Sequence, residues 1–228
     1  MFHVGVTDLR YEVDGTAIIA GLTLSFAPAE ITALVGASGC GKSTLLRLIA
    51  GLREPTAGVI SGVPKRRAFV FQDHALLPWL TLEENVRLPG RYRSMGEADD
   101  DAGPILARLG LAAHARRLPN ALSGGQRMRA SIARALYSRP EVVFLDEAFS
   151  ALDGITRRAV QADFLAVARA EGWTVLMVTH DLGEALKLAD RVVALVGPPT
   201  RVVLDGRTSD LTEAALLAAL AGASVEAV

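Results

Sequence analysis

Nine consecutive residues constrain this chain more than any other segment: Gly36-Ala37-Ser38-Gly39-Cys40-Gly41-Lys42-Ser43-Thr44. Glycines at Gly36 and Gly41 let backbone N–H groups turn inward and wrap a polyphosphate. An apolar run, Ile31 to Val35, precedes the loop. Leu45, Leu46, Leu48 and Ile49 follow it at helical spacing, so the loop joins a buried strand to a helix. That helix aims the positive end of its dipole at the same negative charge. The Lys42 ammonium suits the β- and γ-phosphates, and the Ser43 hydroxyl suits Mg²⁺. Only three lysines (Lys42, Lys65 and Lys187) occur among 24 basic residues, so a lysine here is not an accident of composition.

The rest of the chain reads as strands alternating with helices. Residues 2–9 and 16–26 form an expected hairpin around the Asp14-Gly15 turn. Further strands are expected at Ala68 to Phe71, Val142 to Leu145, Val175 to Val178, Val192 to Val196 and Val202 to Leu204. Helices are expected at Glu83 to Leu88, Pro104 to Leu109, Gly125 to Tyr137, Thr156 to Ala170 and Leu182 to Ala189, with an amphipathic one from Leu211 to Leu220. This alternation predicts an α/β fold around a mostly parallel sheet. The expected organisation is one domain over 1–228: a core with an N-terminal antiparallel β subdomain (about 1–75 and 139–228) and an inserted helical subdomain (about 76–138). Residues 96–103 are the candidate surface loop.

A nucleotide triphosphatase also needs an acid for Mg²⁺ and a group for the attacking water. Val142-Val143-Phe144-Leu145-Asp146-Glu147 runs an apolar strand into two carboxylates at its C-terminal end, where parallel sheets place ligands. Asp146 is the candidate for the metal and Glu147 for the water; by itself the pair would equally suit an ordinary solvated strand end. Acidic and basic residues nearly cancel, at 25 and 24, which gives no push toward nucleic acid. The one cysteine, Cys40, excludes an internal disulfide framework and fits a reducing compartment. Mean hydropathy is high at +0.31. Yet no apolar run is long enough to span a bilayer, and the N-terminus does not read as a signal peptide.

Leu122-Ser123-Gly124-Gly125-Gln126 decides the class. In isolation, Ser-Gly-Gly before a helix is an ordinary helix cap. It is also a second anion-receptive helix N-terminus. With the other motifs in the same order, the chain resembles the ATP-binding cassette (ABC) ATPases over nearly its whole length. The resemblance implies a P-loop NTPase core that stacks head to tail with a second cassette. Each ATP then lies between one phosphate loop and the partner's signature, with Ser123, Gly124, Gly125 and Gln126 reaching the γ-phosphate across the dimer. It further implies Gln72 as the Q-loop glutamine at Mg²⁺ and His180 as the switch histidine that contacts the γ-phosphate and supports the attacking water. Asp153, in Ser150-Ala151-Leu152-Asp153, takes the D-loop place at the seam, and Tyr11 the adenine-stacking place. Three positions depart from the family pattern: Ala148 in place of proline, Ala29 in place of glycine in Pro28-Ala29-Glu30, and Met128 where glutamine is frequent.

Phe71-Gln72-Asp73-His74-Ala75-Leu76-Leu77-Pro78-Trp79-Leu80-Thr81 is similar to the nitrate, sulfonate and taurine importer group, although importers of vitamin precursors share Leu-Pro-Trp. The resemblance implies ATP and Mg²⁺ as cofactors. It implies a second ATPase subunit, an integral permease and a separate solute-binding protein as partners, and no nucleic acid. The expected location is the cytoplasmic face of the bacterial inner membrane. Leu76, Leu77, Trp79 and Leu80 are expected to line the groove for a permease helix, the alternative being plain core. An exporter or lipoprotein-release ATPase and a soluble non-transport cassette remain the rival readings.

Overall fold

The computed structural model describes residues 3–92 and 101–225. The chain opens with β1 (Val4–Val13) and β2 (Thr16–Phe26), paired antiparallel from Val4↔Phe26 to Val13↔Thr16. The turn between them holds Asp14 and Gly15 at φ 50° and 76°, the positive pair that a tight hairpin of this twist needs. A third strand, β4 (Ala57–Ser61), lies on the other side of β1 and completes a sheet of order β2-β1-β4. Sequence reading gives no sign of β4. It is short, largely exposed and without alternation, and Gly58 sits at φ 89° where a Cβ would collide with the Asp8 carbonyl.

The second sheet contains β3 (Ile31–Val35), β5 (Arg67–Val70), β6 (Val142–Asp146), β7 (Thr174–Val178), β8 (Arg191–Val196) and β9 (Arg201–Arg207), in the order β5-β6-β7-β3-β8-β9. All neighbours run parallel except β8 and β9. Strands β3, β6 and β7 are buried at every position. Sheets covered on both faces produce such unbroken apolar runs. Each fully buried Val or Leu stabilises the fold by about 1.5–3 kcal/mol relative to exposure.

Helix α1 (Lys42–Ile49) follows β3 directly. Between β5 and β6 come α2 (Leu82–Arg87), α3 (Gly103–Arg108) and α4 (Gly124–Tyr137). After β6 come α5 (Gly154–Ala170), α6 (Leu182–Leu188) and α7 (Glu213–Val225). The helical insertion does not bury a core of its own. Leu82, Val86, Leu106 and Met128 belong to the same contiguous apolar cluster as Phe164 and Val175. Of the candidate surface loop, residues 96–100 lie outside the described residues, while Gly103 already opens α3. Helix α7 buries Leu216 but leaves Leu217 exposed, so its apolar residues are not confined to one face.

Candidate nucleotide-binding site

The phosphate loop sits where β3 hands over to α1, at the C-terminal edge of the parallel strands. Gly36 has φ 150° and faces the Leu195 carbonyl, which a Cβ would strike. Gly41, the N-cap of α1, has φ 99° and carries no side-chain cap. A Cβ there would collide with Thr200 Oγ1. Thr200 is buried, and its hydroxyl lies 2.7 Å from the Cys40 carbonyl and 2.9 Å from that of Ile18, sharing one proton between them. Thr200 therefore pins the loop to β2. It has no motif around it and is invisible to sequence reading. Lys42 is buried, and its ammonium donates to the carbonyls of Gly36 (2.9 Å) and Ala37 (2.7 Å), folding back across the loop.

The acids arrive from β6. Asp146 is only 5% exposed at the strand's last position. The Ser43 hydroxyl donates to its Oδ1 at 2.6 Å and Arg47 Nη2 to its Oδ2 at 2.8 Å. Glu147 follows with φ 47°, a left-handed backbone that costs a non-glycine residue roughly 1–2 kcal/mol. Its N–H donates to the Val178 carbonyl at the end of β7. Because β6 and β7 pair in parallel with Asp146 opposite Val178, His180 emerges beside Glu147. His180 Nδ1 lies 3.3 Å from Glu147 Oε2. Ser43, Arg47, Gln72, Asp73, Asp146 and Glu147 line one polar cleft. Ser43, Gln72, Asp146 and Glu147 are thus brought together as expected, with Arg47 as an addition. The segment after Gln72 is strapped to α4: Ser131 Oγ donates to the His74 carbonyl at 2.8 Å, and Arg134 donates to the carbonyls of His74 and Ala75.

The signature segment has a different local chemistry. Ser123 is the N-cap of α4, and its Oγ accepts from the Gln126 N–H at 3.3 Å. Gln126 Oε1 accepts from the Ser123 N–H at 3.0 Å, and its Nε2 lies 2.9 Å from His114 Nε2. The Gln126 carboxamide is therefore engaged within its own subunit. A Cβ at Gly125 would strike the Thr156 methyl on α5, so this glycine also permits a close helix–helix approach. Asp153 caps α5, accepting from the N–H groups of Ile155 (3.2 Å) and Thr156 (3.1 Å). Contacts with Thr156, followed by the Ile155 N–H, hold its carboxyl below the usual aspartate range. Tyr11 stands on β1 opposite Ile19; the neighbouring Ile18 borders Gly41. Arg53 lies 5.9 Å over the Tyr11 ring and donates to its hydroxyl at 3.2 Å.

Comparison with known proteins fits this geometry. The family model described as ABC transporter matches residues 19–150, more than half the chain. The aliphatic sulfonates import ATP-binding protein SsuB 1 of Pseudomonas savastanoi pv. phaseolicola is 44% identical over 185 residues, covering 81% of this chain and 77% of its own. The SsuB protein of Cupriavidus necator is 43% identical over 217 residues, covering 91% and 69%. An inward-facing, putative metal-chelate type ABC transporter superposes with TM-score 0.83 at 26% identity, covering 97% of this chain and 90% of the other. The dimeric structure of a bacterial ABC transporter cassette superposes with TM-score 0.76 at 28% identity, covering 90% and 98%. No helix among the described residues is long and apolar enough to cross a membrane. With its phosphate loop, paired carboxylates and signature helix in one α/β frame, the chain belongs to the ABC transporter family as an ATP-binding subunit that hydrolyses ATP.

Proposed function

We propose that this ATPase energises import of a small organic anion of the aliphatic sulfonate class, as one of a pair of identical cassettes on the cytoplasmic face of a bacterial inner membrane. An integral permease carries the solute and a separate solute-binding protein delivers it. The observation that carries the catalytic part is the meeting of Ser43, Gln72, Asp146 and Glu147 in one cleft, with His180 on Glu147. The substrate class rests on the names of the sulfonate-import relatives.

The cleft suits Mg²⁺ by donor chemistry. Among the described residues no group of three His, Cys, Asp or Glu side chains could hold a metal alone. A hydroxyl, a carboxylate and a carboxamide oxygen are what remain. Mg²⁺ is ordinarily held by one or two carboxylates together with substrate phosphates. Ser43 and Asp146 would hold it, with Gln72 beside them. Bound there, the ion would neutralise charge developing on the transferred phosphoryl group.

The protein's own residues do the rest. The phosphate loop and Lys42 bind and orient the triphosphate. Glu147 takes up the proton of the attacking water, and His180 holds that carboxylate in place. Ser123, Gly124, Gly125 and Gln126 close the site from the partner subunit, with Asp153 at the seam and Tyr11 against adenine. ATP thereby draws the two copies together, and hydrolysis releases them.

Of the four apolar residues expected at the permease groove, Trp79 is 70% exposed, while Leu76, Leu77 and Leu80 are half-buried. Asn85, fully buried, holds this turn through the Leu77 N–H and the carbonyls of Leu77, Leu80 and Thr81. Trp79 is thus presented outward on a rigid support, as a permease contact would be.

Glu147→Gln tests the catalytic reading. ATP binding should persist while turnover falls by roughly 10²–10⁴-fold; normal turnover refutes it. For the solute, a strain deleted for this chain should lose growth on alkanesulfonates as sole sulfur source and keep growth on sulfate. Undiminished growth on sulfonates refutes the substrate class.

A further inference from the structure

Arg47 has no part in the motif-based reading, yet it holds the metal-site acid. Ser43 and Arg47 are four residues apart on α1, so they share one face of the helix. Both reach Asp146, one on each carboxylate oxygen, at 2.6 and 2.8 Å. The Asp146 side chain is 7% exposed and that of Arg47 is 40% exposed. A carboxylate buried this deeply is costly without a partner. The half-exposed guanidinium can leave without passing through the core. A divalent cation on the same carboxylate would face the guanidinium as a like charge at short range. Asp73 and Glu147 line the same cleft as further carboxylates.

We propose that Arg47 is a positioning residue that serves as the resident counter-cation of Asp146 and yields it to Mg²⁺ when nucleotide loads. Arg47 keeps the carboxylate paired and aimed at Ser43 before loading. It also sets how much Mg²⁺ is needed to load, because the two cations compete for one acid. This inference rests on the assignment of Asp146 to the metal site.

The test uses the full chain with a fluorescent ATP analogue and reads binding, not turnover. Mg²⁺ is titrated at fixed analogue concentration in the unaltered protein, Arg47→Gln and Arg47→Lys. Arg47→Gln should lower the half-saturating Mg²⁺ concentration about five-fold, the worth of a partly exposed ion pair. Arg47→Lys, which keeps a cation, should fall between. In parallel, melting with a chelator and without nucleotide should show Arg47→Gln less stable than the unaltered protein. Arg47→Gln with Asp146→Asn should recover much of that loss. An unchanged or raised Mg²⁺ requirement in both variants overturns the proposal, even if stability falls, because a purely structural arginine predicts that pattern. Should Arg47→Gln fail to fold, the lysine variant decides by the same criterion. If the unaltered protein binds nucleotide with no dependence on Mg²⁺, the metal assignment itself fails, and the proposal with it.

Discussion

Two helix N-termini in this molecule are built from glycine-rich turns, and they are finished in opposite ways. Helix α1 starts at Gly41 in a left-handed backbone with no side-chain cap. Helix α4 starts at Ser123 with a complete capping box, in which Ser123 and Gln126 satisfy each other's backbone N–H groups. The first end leaves its dipole and donors to a ligand. The second is self-sufficient and stable before any ligand arrives. Within one subunit, α1 is therefore the helix end left open to an anion. To meet a phosphate, the signature end must loosen its own cap or offer the donors the cap does not use. Similar glycine-plus-helix sequences are therefore not equivalent anion sites; what the neighbouring side chains already satisfy decides which one is ready.

Disabling each end in turn should change the nucleotide affinity of the isolated subunit very differently. Lys42→Ala should weaken ATP binding roughly 100-fold, about 3 kcal/mol, by removing a charged hydrogen-bond donor. Ser123→Ala should leave the same affinity unchanged. Equal losses in both variants, measured by calorimetric titration, would show that the two ends share the ligand within one subunit. Next in size is Gly125→Ala. Its new methyl would strike the Thr156 methyl, so overpacking should destabilise the fold by about 1–3 kcal/mol. Thr156→Ser removes the obstructing methyl and should restore much of that stability in the double variant. No recovery in denaturant melts would mean that Gly125 is needed for its backbone rather than for its closeness to α5.

Much of this site is legible in the chain because its parts are local. A strand, a glycine turn and a lysine lie within fourteen residues of one another, from Ile31 to Thr44. The Asp146-Glu147 pair can likewise be read from the apolar run before it. His180 becomes interpretable once β6 and β7 are known to pair in parallel, since that register carries it to Glu147. Thr200 and Arg47 stay hidden for a different reason. Each acts through a long-range contact, to Cys40 and to Asp146, and neither residue type stands out at its position. Strand β4 is hidden because it is largely exposed and is defined by its pairing with β1, not by any pattern of its own. The lack of a separate core under α2 and α3 is a tertiary fact too. Their apolar residues read the same whether they pack among themselves or, as here, into the cluster that also holds Phe164.

A smaller effect concerns the cap itself. Replacing Ser123 with alanine should cost about 1 kcal/mol of stability, the usual worth of an N-cap. If the capping box is what holds the signature end closed, ATP-dependent dimerisation should change more than melting does. A variant that loses stability while dimerising normally in a light-scattering titration would show that the cap plays no part in meeting the partner's nucleotide.

The smallest effect extends the contrast to a third helix end, α5, which is capped by an acid in place of a hydroxyl. Asp153 accepts from the Ile155 and Thr156 N–H groups, and its carboxyl is held below the ordinary aspartate value by Thr156 first and Ile155 after it. The sign follows from linkage: a depressed carboxylate adds stability above its unfolded pKa, near 3.9, and loses it as pH falls through the lower folded value. Asp153→Asn keeps a neutral cap. The unaltered protein should therefore be slightly the more stable from about pH 5 upward. The gap should close as the solution is acidified below pH 4. Ser123→Thr, altering a cap that cannot titrate, should give a difference that does not vary over the same range. A gap for Asp153→Asn that stayed constant into acid would mean the charge contributes nothing and the helix end is held by hydrogen-bond geometry alone, as at α4.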